Sequence, residues 1–222
     1  MFKPNLSILR RPQKQLWVEL RDTPKTFVLY GGTALALRLG HRQSEDFDFF
    51  SNKSFQPTSL RTSIPYLKHA EMTQFQENTL TAIVDRNGPV KLSFFGSLGI
   101  KRVQDPDIVE ENGVQIASML DLFASKLKTI QVRAEQKDYR DIVGALNAGL
   151  TLAEGLSAAV AIYGREFNGA LSLKALTFFE DGDLPRLTPE TRKKLLGAAT
   201  SVNLKRLPLV SARPGLSPEE EE

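Results

Sequence analysis

The hydrophobic pattern changes period about halfway along the chain. Near the start, Leu6, Ile8, Leu9, Leu16, Trp17 and Leu20 recur at helical spacing, and Pro12 predicts an interruption because proline supplies no amide and clashes with the preceding turn. Residues 26–30 form a short β-branched and aromatic run ending at Gly31-Gly32, after which 33–39 read as a helix closed by Gly40. Acids and aromatics then alternate over 46–50, which puts Asp46 and Asp48 on one face of a strand and Phe47 and Phe49 on the other. Residues 57–68 predict a helix that kinks or stops at Pro65. Three strands follow at 72–75, 80–84 and 90–95, the last two joined by Asn87-Gly88, a pair that tolerates the positive φ of a hairpin turn.

From Ser118 onward the period is helical. Ser118 and Asp121 resemble a capping box ahead of the stripe Met119, Leu122, Phe123 and Leu127. Further helices are predicted over 134–146, from Thr151 with Glu154 three residues on, over 171–179, and from Thr188 with Pro189 in the first turn. The expected fold class is therefore α+β, a mixed sheet with flanking helices over 1–113 followed by a C-terminal helical bundle over 114–203. Residues 204–222, rich in proline and closing on Glu219 to Glu222, lack apolar mass and are expected to form a flexible tail.

Composition narrows the function classes. With 222 residues, 41% of them hydrophobic, the chain is an ordinary globular protein and not a disordered one. The absence of cysteine excludes disulfide frameworks, thiolate metal sites and cysteine nucleophiles. No apolar run approaches the roughly 18 residues of a membrane span, and the basic opening has no signal-peptide core, so no membrane and a cytoplasmic address are expected. A formal charge of +3 falls far short of a polybasic nucleic-acid binder. The basic residues do cluster at Lys126, Lys128, Arg133, Lys137 and Arg140, which would hold phosphates if they face a cleft and would otherwise be a solvated helix face.

The chemistry concentrates in two segments. In the first, two glycines at a strand-to-helix turn let backbone approach a ligand closely, and the free amides at the start of the helix favour a phosphate, to which Thr33 can add a hydroxyl. Asp46 and Asp48, projecting side by side from the next strand, offer hard oxygen ligands for Mg²⁺ carrying a nucleotide. In the second, Asp138 and Asp141 are three apart on a helix and can point together. Lys137 and Asp141, four apart, can form a salt bridge or meet a ligand.

The order Gly31-Gly32-Thr33-Ala34-Leu35, then Arg42-x-Ser44-x-Asp46-x-Asp48-Phe49, resembles the nucleotidyltransferases of the AbiEii and AbiGii toxin family within the DNA polymerase β superfamily. Asp121-Leu122-x-Ala124-x-Lys126, Arg133 and Lys137-Asp138-Tyr139-Arg140-Asp141 look like that family's downstream motifs. The resemblance implies a polymerase β-like nucleotidyltransferase core that moves a nucleotide from a nucleoside triphosphate to an acceptor hydroxyl, on RNA or protein, with Mg²⁺ as cofactor. It implies Asp46, Asp48, Lys126 and Asp141 as catalytic residues, with Asp46 and Asp48 on the metal. Gly31, Gly32, Thr33, Arg42, Ser44, Lys126, Lys137 and Asp138 would bind nucleotide, Lys126 at the triphosphate. Toxin-like activity and a cognate antitoxin are further implications.

One departure stands out. Many polymerase β-like transferases carry a third carboxylate on a later strand, whereas 90–95 contain none. Either one metal suffices, a helical acid such as Asp141 substitutes, or activity is weak or absent; Asp85 and Glu77 lie on neighbouring segments. Two other functions compete. A silent nucleotide-binding or interaction module would keep the cradle without catalysis. A phosphatase of the haloacid dehalogenase type would use the first aspartate of Asp-x-Asp as nucleophile, but Phe50 stands where it expects threonine or valine.

Overall fold

The computed structural model describes residues 2–218. The hydrophobic opening is a 3₁₀ turn at Leu6–Ile8 followed by helix α1 (Arg11–Trp17). Pro12 does not interrupt this helix but sits in its first turn, where no intrahelical partner for its missing amide is required. Strand β1 (Val28–Tyr30) runs directly into helix α2 (Gly31–Leu39), so both glycines form the helix's first turn, and Gly40 closes it in the left-handed conformation at φ 66°.

Strand β2 (Asp46–Phe50) shows the expected alternation, with Phe47 and Phe49 fully buried and the acids partly exposed. Helix α3 (Pro57–Ser63) ends before a 3₁₀ turn that begins at Pro65. Strands β3 (Glu71–Gln76), β4 (Thr79–Asp85) and β5 (Pro89–Phe95) form an antiparallel meander, and Asn87 takes φ 59° in the second turn. Two further strands, β6 (Asp107–Ile108) and β7 (Gln115–Ile116), complete a seven-stranded mixed sheet of order β3-β4-β5-β2-β1-β7-β6. In its middle β2 lies antiparallel to β1 and parallel to β5.

Helices α4 (Met119–Thr129), α5 (Gln136–Asn147), α6 (Leu152–Tyr163), α7 (Gly169–Ala175) and α8 (Pro189–Thr200) follow. Thr151 and Glu154 form a reciprocal capping box, and the Ser118 hydroxyl accepts from the Asp121 amide. The helix expected over 171–179 starts and ends earlier.

Two apolar cores result. One lies on the sheet and includes Trp17, Leu35, Phe47, Phe49 and Phe94; the other lies among the helices and includes Phe123, Leu127, Tyr139, Ile142 and Leu156. Helix α4 joins them, since Leu122 packs into the first and Phe123 into the second. The division expected after residue 113 falls ahead of β7, which pairs with β1 and belongs to the sheet. The closing segment, expected as a flexible tail, is largely exposed from Leu204 to Ala212 and meets the sheet unit near its described end. Leu216 is buried in the sheet core, Arg213 bridges to Arg102, and the buried Arg102 guanidinium donates to the Pro214 carbonyl. Glu219 to Glu222 lie outside the described residues. Among the described residues no single helix is long and apolar enough to cross a membrane.

Candidate active site

A cleft of about 600 Å³ opens between the start of α2, the cleft face of β2 and β5, and helices α4 and α5. Its floor follows from strand register. Asp46 lies opposite Lys91 and Asp48 opposite Ser93, and alternation carries the same face on to Phe50, which lies opposite Phe95. The floor thus grades from charged to aromatic along the strands.

Gly31 and Gly32 line one wall. Gly31 has φ +73°, and a Cβ there would lie 2.7 Å from Asp48 Oδ2. The glycine is needed twice, for a conformation other residues rarely adopt and for contact between helix start and carboxylate. No side chain caps α2, so its first amides are available to an anion. Gly31→Ala is expected to lower stability by about 1–2 kcal/mol through backbone strain alone, read as an earlier urea midpoint; an unchanged midpoint would mean that the turn tolerates a side chain.

Asp48 is partly buried, and its pKa is raised by burial and then by the neighbouring charge of Asp46, against opposing effects of Lys91, a Ser93 hydrogen bond and Lys126. A carboxylate so placed gains most from a cation between it and Asp46. The two acids fit a divalent cation by donor type, hard oxygens on one face, with the remaining positions open to water and phosphate. Among the described residues no third acid or histidine joins them in a metal-binding group. Glu45 also lines the cleft but is paired with Arg10. Asp85 accepts from the Gly88 amide in the hairpin, and neither it nor Glu77 lines the cleft.

A second wall is cationic. Lys126, Arg133 and Lys137 line it, and Arg42 joins it to the first by packing against Gly32, whereas Lys128 reaches the Glu166 carbonyl and Arg140 is exposed away from the cleft. Lys126 is almost fully buried, its ammonium 2.7 Å from Asp138 Oδ1 and 2.8 Å from Asp141 Oδ2. An ammonium has three donors, so one N–H remains for the cleft.

Asp141 is completely buried and does not line the cleft. It takes bidentate hydrogen bonds from Arg42 (Nε 2.6 Å, Nη2 2.8 Å) and lies 2.7 Å from His41 Nε2. Burial alone would raise its pKa, but the hydrogen bonds from Arg42 and His41 and the Lys126 charge outweigh it and hold the carboxyl far below the usual range. Asp138 behaves alike: burial opposes ionisation, but Arg133 and Lys126 prevail and lower its pKa. Both acids therefore sit behind the cleft and aim Lys126, Arg42 and Arg133 into it. Asp138 and Asp141 do converge as their spacing predicted, but Lys137 pairs with Glu135 at 2.7 Å and not with Asp141.

Thr33 is also behind the wall. It is buried, its hydroxyl donates to the Asp46 carbonyl, and it lies 2.8 Å from the Ser44 hydroxyl, so it ties α2 to β2 and does not reach toward a phosphate. Ser44 lines the cleft in a loop fixed further by Gln13, a buried α1 residue that donates to the Ser44 and Glu45 carbonyls at 2.9 and 3.1 Å. Gln13, His41, Lys91, Phe50 and Phe95 were not among the residues predicted. Only the alternation of 46–50 signalled one of them, Phe50.

A family model described as nucleotidyl transferase AbiEii toxin, type IV TA system, matches residues 16–205. An uncharacterized protein of Aquifex aeolicus (strain VF5) is 32% identical over 158 residues, covering 70% of this chain and 74% of its own. Among solved structures, the nucleotidyltransferase toxin MenT4 of Mycobacterium tuberculosis H37Rv superposes with a TM-score of 0.56 at 14% identity, over 87% of this chain and 83% of that one. An antigenic nucleotidyltransferase-like protein of Paracoccidioides brasiliensis superposes with a TM-score of 0.52 at 17% identity, over 84% and 94%. At these identities the structural likeness is one of fold.

Proposed function

Because the chain belongs to the nucleotidyl transferase AbiEii toxin family, we propose that its cleft binds a nucleoside triphosphate with Mg²⁺ and transfers the nucleotide to an acceptor hydroxyl on RNA or protein. The chain is a nucleotidyltransferase by family; the cleft supports the proposed roles. The observation that carries it is the convergence of Gly31, Gly32, Asp46, Asp48 and Lys126 on one cleft.

In this reading the amides of Gly31 and Gly32 cradle the phosphates at the uncapped start of α2. Asp46 and Asp48 hold the cation, which when bound neutralises phosphate charge and polarises the α-phosphoryl group. The acceptor oxygen bonds to the α-phosphorus, the bond from that phosphorus to the β-phosphate bridging oxygen breaks, and pyrophosphate leaves with the electron pair. The acceptor proton passes to solvent. Lys126, Arg42 and Arg133 stabilise the charge accumulating on the departing phosphates, already oriented by Asp138 and Asp141. Behind the wall, Asp138, Asp141 and Thr33 act as positioning residues.

The aromatic end of the floor suits the nucleoside. Phe50 and Phe95 lie edge to face with centroids 5.7 Å apart, two residues along the strands from Asp48 and Ser93 and hence about 7 Å away. Phe95→Ala is expected to raise the KM for the triphosphate roughly fivefold or more at little change in kcat, since base stacking on an aromatic ring contributes about 1–3 kcal/mol. Steady-state kinetics check this, and an unchanged KM would place the base elsewhere.

The test of the reading is an incubation with each triphosphate labelled at the α-phosphate, Mg²⁺ and a cell extract. Label is expected to enter a macromolecule, and the same triphosphate labelled at the γ-phosphate should leave the acceptor unlabelled. Inorganic phosphate release without transfer would favour the phosphatase alternative, and binding without any product the silent module. The family's type IV toxin–antitoxin description supports a toxin role with a cognate antitoxin, acting in the cytoplasm where triphosphates and acceptors meet.

A further inference from the structure

We propose that this cleft operates with a single divalent cation, and that the Lys91 ammonium on β5 stands where a second cation would bind. The inference rests on the reading of Asp46 and Asp48 as cation ligands and extends it.

Three observations carry it. Strand β5 runs parallel beside β2, so the residues it presents next to the acid pair are Lys91 and Ser93, an ammonium and a hydroxyl. Lys91 Nζ lies 3.9 Å from Asp46 Oδ2 and lines the same cleft. A second cation on that side of the pair would therefore have to occupy space already held by a positive charge, with no added carboxylate to compensate.

Other acids are unavailable. Glu45 is paired with Arg10, and Asp138 and Asp141 are buried and saturated by Lys126, Arg133, Arg42 and His41. Among the described residues no acid or histidine completes a three-ligand group. Two carboxylates match one dication in charge, and the ammonium supplies a second, protein-borne positive charge beside the α-phosphoryl group. Lys91 is half exposed in its side chain and can swing toward a bound phosphate.

The experiment is a Mn²⁺ titration followed by the paramagnetic resonance of the free ion, with the full chain saturated by a non-hydrolysable nucleoside triphosphate analogue. One Mn²⁺ per chain is expected for the wild type and two for Lys91→Glu, which supplies the absent third carboxylate. Two ions in the wild type, or one in a folded Lys91→Glu, would overturn the inference; the wild-type count needs no variant to fold. Lys91→Ser, which adds no acid, should stay at one ion and lose about tenfold in kcat with KM unchanged, and full retention of kcat would also overturn it. An Asp48→Asn chain that binds Mn²⁺ and analogue as tightly as the wild type would instead overturn the underlying assignment of the acid pair.

Discussion

Asp48→Asn should slow nucleotide transfer at least a hundredfold while leaving the protein as stable as before or more so. The rate loss follows from removing one of the two carboxylates that would hold the cation, a charge-stabilising element at the reacting phosphate worth on the order of 3 kcal/mol in barrier. The stability gain follows from the opposite side of the same geometry. Burial and the Asp46 charge raise the Asp48 pKa, so its ionised form is disfavoured. A carboxyl with a raised folded pKa destabilises the fold progressively as pH rises from its unfolded value, about 4, through the folded one. At pH 7 the amide removes that cost, and below about pH 4 the difference from wild type should fade. Urea unfolding over this pH range and single-turnover kinetics measure the two effects on the same samples. A variant less stable than wild type at pH 7 and equally active would reverse both signs.

Asp141→Asn should behave oppositely and lose stability, by about 3–5 kcal/mol, because removing one partner of a buried ion pair leaves the others uncompensated. Here Arg42 and Lys126, both largely shielded from water, would lose the carboxylate that binds them. The pH dependence has the sign of a depressed carboxyl: its contribution is complete above the unfolded pKa of about 4 and disappears only as pH falls through the much lower folded value. The wild-type advantage over Asp141→Asn should thus be constant from neutral pH down to about 5 and shrink in stronger acid. Activity should fall as well, since Arg42 and Lys126 lose their aim into the cleft, but with retained Mn²⁺ binding at Asp46 and Asp48. A variant with wild-type stability would show that the buried network is not what holds the helices against α2.

The legible parts of the chain were those governed by local periodicity. The two-residue alternation of 46–50 placed the acids on one face and the phenylalanines on the other, and Thr151 with Glu154 announced its helix through side chains three residues apart. Strands β6 and β7 leave no signal in the sequence because two residues carry no period, and their pairing with each other and with β1 defines them. The direction of Thr33 was likewise invisible: its hydroxyl is captured by β2, an interaction across the chain that its place after the glycines does not reveal. Spacing suggested Lys137 as the partner of Asp141, but tertiary packing delivers Arg42 and His41 from about a hundred residues earlier and leaves Lys137 to Glu135.

The most direct measurement is a crystal of the full chain grown with Mn²⁺ and a non-hydrolysable nucleoside triphosphate, with anomalous scattering used to locate the ion. The account predicts an anomalous peak within coordination distance of both the Asp46 and Asp48 carboxylates, with the triphosphate against Gly31 and Gly32 and in reach of Lys126. A peak at another set of ligands, or a nucleotide seated outside this cleft, would contradict it.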